Sequence, residues 1–168
     1  MFGGFVLRDT FCREVSWSVQ TVEYQRELVK LIGQGKRVLE VGAGRGILGL
    51  VMPEQLDGEW ICTESQPPPD TDHVRKMDAL HAIKHYRPDV VYASWIPYGS
   101  RLDFEIAQLA SKQGIPCIFV GEGDGGCTGS GRFWNTQHTS YKIVYPDITH
   151  DVPQWPGLHD HTYMARPR

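Results

Sequence analysis

The 168-residue sequence has four cysteines, Cys12, Cys62, Cys117 and Cys127, and none of them stands in a Cys-x-x-Cys spacing. That excludes the commonest thiolate metal and redox motifs and reads as reduced thiols of a cytoplasmic protein. No apolar run approaches the ~20 residues that cross a bilayer, which argues against a membrane span. Residues 1–8 lack a basic region followed by a sustained apolar core, so they do not read as a signal peptide. Positive charge is also scarce: 17 Lys and Arg against 20 Asp and Glu leave a net charge of −3. A dedicated duplex binder gathers basic excess, and here only Lys84, His85 and Arg87 cluster. Net charge thus disfavours nucleic acid as the main partner without excluding it. There is no internal repeat.

The length predicts a single domain over residues 1–168, with residues 1–35 as a helical lead-in. A domain of this size buries roughly 70% of the surface of its unfolded chain and needs no disulfide or metal to hold it. Val22, Leu28 and Leu31 share a helical face over residues 18–31, and Gly33 and Gly35 stop that helix. Strands are then expected over 37–41, 59–64, 74–77, 89–94 and 115–120. Helices alternate with them over 46–55 (interrupted near Pro53), 79–86 and 104–113. A glycine-rich loop fills 121–131, and two last strands, 141–145 and 159–165, are joined by a loop alone. Strand–helix alternation predicts an α/β sheet with helices on both faces. Two strands without a crossover helix predict an antiparallel closing pair.

The most informative segment is Glu40-Val41-Gly42-Ala43-Gly44-Arg45-Gly46, a strand end running through three glycines into a helix. Glycines allow positive φ and remove the Cβ that would block a ligand. The helix start that follows offers unpaired N–H groups to a carboxylate or phosphate. Gly44, Gly46 and Gly49 also match the dinucleotide spacing Gly-x-Gly-x-x-Gly. Glu40, two residues ahead of the first glycine, tilts the choice, because it suits the ammonium of an amino-acid ligand and a dinucleotide has no cation there.

The segment resembles motif I of class I S-adenosylmethionine-dependent methyltransferases, (Asp/Glu)-x-Gly-x-Gly-x-Gly, and the order of elements over residues 37–165 is similar to that family. The resemblance implies a Rossmann-like methyltransferase fold, mostly parallel, with an antiparallel C-terminal strand. It implies S-adenosyl-L-methionine as cofactor and an unidentified methyl acceptor as partner. Carried over by position, Glu40, Gly42, Ala43, Gly44 and Gly46 hold the amino-acid end of the cofactor. Glu64, 24 residues after Glu40, takes the ribose hydroxyls, and Asp78 with Ala79 takes the adenine. Ser94 and Trp95, at the end of the fourth strand where family members place their reaction motif, complete the implied cofactor-binding set. Ser94-Trp95-Ile96-Pro97-Tyr98 departs from the amino-group version, with Trp-Ile-Pro where Pro-Pro stands.

Tyr98 and Glu122 are the catalytic candidates, from the loops after the fourth and fifth strands, with Trp17 and Tyr24 as a lid. The plain alternatives are a solvated strand end for Glu64, a helix N-cap for Asp78 and a solubilising role for Glu122 and Asp124. His81 with His85 and His159 with His161 have pairwise metal spacing but no third ligand, so no metal is expected. Two other functions fit parts of the pattern. One is a domain that binds S-adenosylmethionine without transferring its methyl group. The other is a nicotinamide-dependent oxidoreductase, supported only by the Gly44–Gly49 spacing.

Overall fold

The computed structural model describes the backbone of residues 3–168 and side chains from Leu7 onward; the first residues of the expected lead-in lie outside it. Helices α1 (Gly3–Glu14) and α2 (Val22–Ile32) precede strand β1 (Arg37–Val41). Then come α3 (Ile47–Leu56), β2 (Glu59–Glu64), β3 (Val74–Lys76), α4 (Ala79–Tyr86) and β4 (Val90–Ser94). The chain closes with α5 (Leu102–Lys112), β5 (Cys117–Glu122), the single turn α6 (Gly131–Trp134), β6 (Tyr141–Val144) and β7 (Asp160–Pro167). The seven strands form one sheet in the order β3-β2-β1-β4-β5-β7-β6. The first five are parallel, and β7 runs antiparallel to both β5 and β6.

Alternation along the strands divides the core into two layers, as the pleat requires. Leu39, Val41, Val91, Ala93, Phe119 and Tyr163 face α4 and α5, meeting Ile83, Ile106 and Ala110. Val38, Trp60, Cys62, Tyr92, Ile118 and Met164 face α2 and α3, meeting Tyr24, Leu28, Met52 and Leu56. Helix α2 is capped by Thr21, whose hydroxyl accepts from the Tyr24 N–H, and ends at Gly33 with φ 88°. Tyr24 is fully buried and its hydroxyl lies 2.7 Å from the Thr162 hydroxyl. It is a core residue tying α2 to β7, and the lid role expected for it falls away.

Two boundaries differ from expectation for a reason that sequence periodicity does not carry. Helix α3 runs through Pro53 without a break. Strand β5 extends through Gly121 and Glu122, which pair with His161 and Asp160 of β7. The glycine segment after it is tied down rather than loose. Pro97 bridges Thr128, and the Gly99 N–H donates to the Gly129 carbonyl at 2.8 Å. The buried Asp103 of α5 accepts from the Ser130 N–H at 2.7 Å and the Ser130 hydroxyl at 2.9 Å.

Replacing Asp103 by Ala leaves those donors without their partner, which typically costs about 1–3 kcal/mol. We expect Asp103→Ala to lower the unfolding free energy by that amount in urea titration and to open residues 123–130 to limited proteolysis. Unchanged protease resistance would show that the loop is held by other means.

Candidate functional site

The parallel strands end together, and the space beyond their carboxyl ends is a cavity of about 830 Å³. Ligand sites in open α/β sheets lie at such an edge. Its floor is the turn between β1 and α3. Gly42, Gly44 and Gly46 have φ of 65°, 54° and 63°, values that L side chains rarely adopt. A Cβ on Gly42 or Gly44 would meet nothing within 4 Å, and both glycines line the cavity. Gly46 is different and does not line it. A Cβ there would strike Val74, His73 and Cys62, so its bare backbone serves the packing of α3 on the sheet. Gly49 likewise abuts Cys62. The dinucleotide-like spacing Gly44–Gly46–Gly49 is therefore accounted for by helix–strand contact.

Eight further sequence candidates, Glu40, Ala43, Glu64, Asp78, Ala79, Ser94, Trp95 and Trp17, all line the same cavity. Glu40 points to the α2–α3 side of β1 and is 5% exposed. Its Oε2 accepts from the Trp60 indole N–H at 2.8 Å and the Cys62 thiol at 3.3 Å. Burial pushes its carboxyl up to about 7, against the opposing pull of these two bonds. Glu64 crosses to the glycine turn: its Oε2 accepts from the Gly44 N–H at 3.2 Å. The other oxygen accepts from the Ser65 hydroxyl and the Gln66 N–H. A carboxylate has about four lone-pair sites, so both oxygens keep capacity for a ligand. Asp78 caps α4 by accepting from the His81 N–H at 2.9 Å while lining the cavity, so cap and wall are the same residue. Met77, Ala79 and Leu80 make the wall beside it apolar.

The structure does not bring the two catalytic candidates into this space. Tyr98 is 76% exposed and is not among the residues that line the cavity. Glu122 is held as a staple: one oxygen accepts from the Cys127 N–H at 2.7 Å, the other from the His159 N–H at 3.1 Å. Burial works against its charge, but the bonds from Cys127 and His159 prevail and its carboxyl lies below the ordinary value. Such a group is a weak base. Of the two histidine pairs, His81 and His85 lie edge to face with ring centroids 6.2 Å apart, whereas His161 meets His150, Nδ1 to Nδ1 at 3.2 Å. No group of three or more metal-binding side chains occurs among the described residues.

Sequence reasoning missed the roof. Asp9, Cys12, Arg13 and Ser16 line the cavity from α1 and the turn after it. Their i, i+3, i+4, i+7 spacing was the available signal, one polar helical face directed inward. Asp160, at the start of β7, was missed too. It is buried, its Oδ2 accepts from the Trp95 indole N–H at 3.1 Å, and burial raises its carboxyl to about 6.

No protein-family model matches the sequence, and no curated protein is significantly similar to it. Solved structures do match. The Burkholderia thailandensis 1,6-didemethyltoxoflavin-N1-methyltransferase, bound to its substrate and S-adenosylhomocysteine, is 16% identical with a TM-score of 0.59. The match covers 97% of this chain and 85% of that one. A TehB-like S-adenosylmethionine-dependent methyltransferase of Corynebacterium glutamicum is 13% identical, TM-score 0.55, covering 98% and 96%. An Archaeoglobus fulgidus S-adenosylmethionine-dependent methyltransferase is 15% identical, TM-score 0.54, covering 96% and 98%. The fold is thus the Rossmann-like methyltransferase fold.

The raised carboxyls carry a consequence for stability. A folded-state value above the unfolded one means that the native state favours the protonated form. The contribution of Glu40 is therefore whole below its ordinary value of 4.5 and is lost as pH rises through about 7. Asp160 acts in the same direction through about 6. Urea unfolding from about pH 5 to pH 8 should show stability falling less steeply in Glu40→Gln than in the parent; identical slopes would refute the assignment.

Proposed function

We propose that this chain is an S-adenosylmethionine-dependent methyltransferase, residues 1–168 forming one cofactor-binding domain that works in the cytoplasm. The observation that carries the reading is the cradle at Gly42 and Gly44. Two left-handed glycines open directly into a cavity whose floor holds a buried carboxylate, Glu40, with a second, Glu64, against the Gly44 N–H. The donor set fits the cofactor in character. Four carboxylates, Asp9, Glu40, Glu64 and Asp78, face two guanidiniums, Arg13 and Arg45, a balance suited to a ligand carrying a sulfonium and an ammonium.

In this reading Glu40 holds the ammonium, and the N–H groups at the start of α3 hold the carboxylate. Glu64 accepts from the ribose hydroxyls. Met77, Ala79 and Leu80 cover the adenine ring and Asp78 takes its amino group. When bound, the cofactor supplies an electrophilic methyl group on sulfur, and the protein's task is alignment and exclusion of water. The relatives in fold include a methyltransferase with bound S-adenosylhomocysteine, which supports the same ligand here. The acceptor named for the Burkholderia enzyme belongs to that enzyme. A second reading, a binder without transfer, draws on Tyr98 and Glu122 lying outside the cavity.

S-Adenosylhomocysteine at about 100 times its Kd should raise the melting midpoint by about 5–10 °C, with no shift from NADH. Gly44→Val puts a branched side chain into the cavity at a φ it does not tolerate, and should abolish the shift. A shift with NADH alone would refute the proposal. Transfer of labelled methyl from S-adenosylmethionine to cell extract separates enzyme from binder.

Glu40 also couples binding to pH. A bound ammonium favours its ionised form, so binding below about pH 7 should release a proton, and S-adenosylmethionine affinity should rise from about pH 5.5 to pH 7. Calorimetry in buffers of different ionisation enthalpy reads that proton. Glu40→Gln should bind more weakly and without the pH trend.

A further inference from the structure

Trp95 leaves β4 with φ 49°, a left-handed backbone on a bulky aromatic residue. Such strain persists only where the surroundings over-determine it, and it clusters at functional sites. Two contacts impose it. The Trp95 backbone N–H donates to the Val120 carbonyl at 2.8 Å, and its indole N–H donates to the buried Asp160 at 3.1 Å. The second Asp160 oxygen, Oδ1, is buried without a partner. Core packing is not the reason for this expense, since the indole is only half-buried and lines the cavity. The strain and the buried carboxylate serve to aim one flat, electron-rich face into the cavity.

That face is covered by a side chain of the protein itself. Trp17, from the segment between α1 and α2, stacks on Trp95 with ring centroids 5.8 Å apart and planes 29° from parallel. Trp17 is 54% exposed, so its own burial gives it little reason to stay. Arg8 stands at the margin of the pair, its guanidinium carbon 5.7 Å from one ring centroid and 5.4 Å from the other. Its Nε is buried with no hydrogen-bond partner, and Asp9 is 3.9 Å from its Nη1.

We propose that the Trp95 face is the methyl-acceptor subsite, that its ligand is a free, flat, fused-ring heteroaromatic molecule, and that Trp17 occupies the ligand's place until it arrives. The acceptor role rests on the cofactor reading above; the ring-binding platform does not. A flat ring replaces the Trp17 stack with one of equal kind. The unpartnered Arg8 donor selects rings that carry an oxygen or unprotonated nitrogen on the edge. Acids outnumber guanidiniums four to two in the cavity, a balance that does not attract phosphates and favours a free heterocycle over a base within nucleic acid.

Quinazoline-2,4-dione, a flat bicycle with edge carbonyls, is a direct probe, with its ring-saturated analogue as control. Binding is read by calorimetry on the full chain with S-adenosylhomocysteine present and absent. The two tryptophans should respond with opposite sign. Trp17→Ala removes the internal competitor and should tighten probe binding about three- to tenfold, the equivalent of one aromatic stack. Trp95→Gly accepts the left-handed backbone, so it should fold with a melting midpoint near that of the parent, yet lose at least about tenfold in probe affinity whether S-adenosylhomocysteine is present or absent. A purely structural pair would weaken in both variants. Equal binding of the saturated analogue, weaker binding by Trp17→Ala, or undiminished binding by Trp95→Gly would each overturn the platform. Absence of S-adenosylhomocysteine binding in the unsubstituted chain, with the probe pattern intact, would overturn the cofactor reading instead.

Discussion

Helix α3 lies against β2 at a distance that only bare backbone allows. Gly46 and Gly49 face Val74, His73 and Cys62, and any side chain at either position would drive the helix off the sheet. The rest of the site depends on that approach. It lets the chain turn from β1 into α3 within five residues, with Gly42 and Gly44 left facing the cavity. The β1–β2 register beneath it pairs Cys62 with Glu40, to which the thiol donates, and the turn places the Gly44 N–H opposite Glu64. Three glycines in one motif thus divide their work: two make room for a ligand and one makes room for the helix.

The carboxylates of this protein differ in task because they differ in what surrounds them. Glu40 and Asp160 are buried with few donors, so their protons are held more tightly than usual. Glu122 receives two backbone N–H groups and stays ionised, spending its lone pairs on the architecture of the β5 end. Asp103 is buried and anchors the glycine-rich segment through Ser130. A loop that by composition reads as loose is thereby held in place, and Glu122 at its start is structural. The groups that face the cavity sit instead on β1, β2, the start of α4 and α1.

The glycine motif and its carboxylate were legible because both act locally. A turn with three left-handed residues needs glycine whatever the rest of the chain does. Glu64 and Asp78 were legible by position, since each ends a strand or opens a helix at the ligand edge of the sheet. The strands themselves followed from short apolar runs bounded by turn residues. Tyr98 and Glu122 show where this logic stops. Both sit at the correct edge, Tyr98 in a loop and Glu122 at the end of β5, but whether such a side chain turns inward depends on its hydrogen-bond partners. For Glu122 those partners are Cys127 and His159, the latter 37 residues away.

Sequence alone thus determined the α/β class, the closing antiparallel pair and the glycine cradle, because periodicity and backbone freedom are properties of short segments. Only tertiary structure decided that β7 lies between β5 and β6, that α1 roofs the cavity, and that Trp95 is pinned by Asp160 and covered by Trp17. Those facts join residues 65 and 78 positions apart in the chain, 160 − 95 and 95 − 17. Contacts of that range depend on how layers pack and which hydrogen bonds are left to satisfy, and no local pattern encodes them.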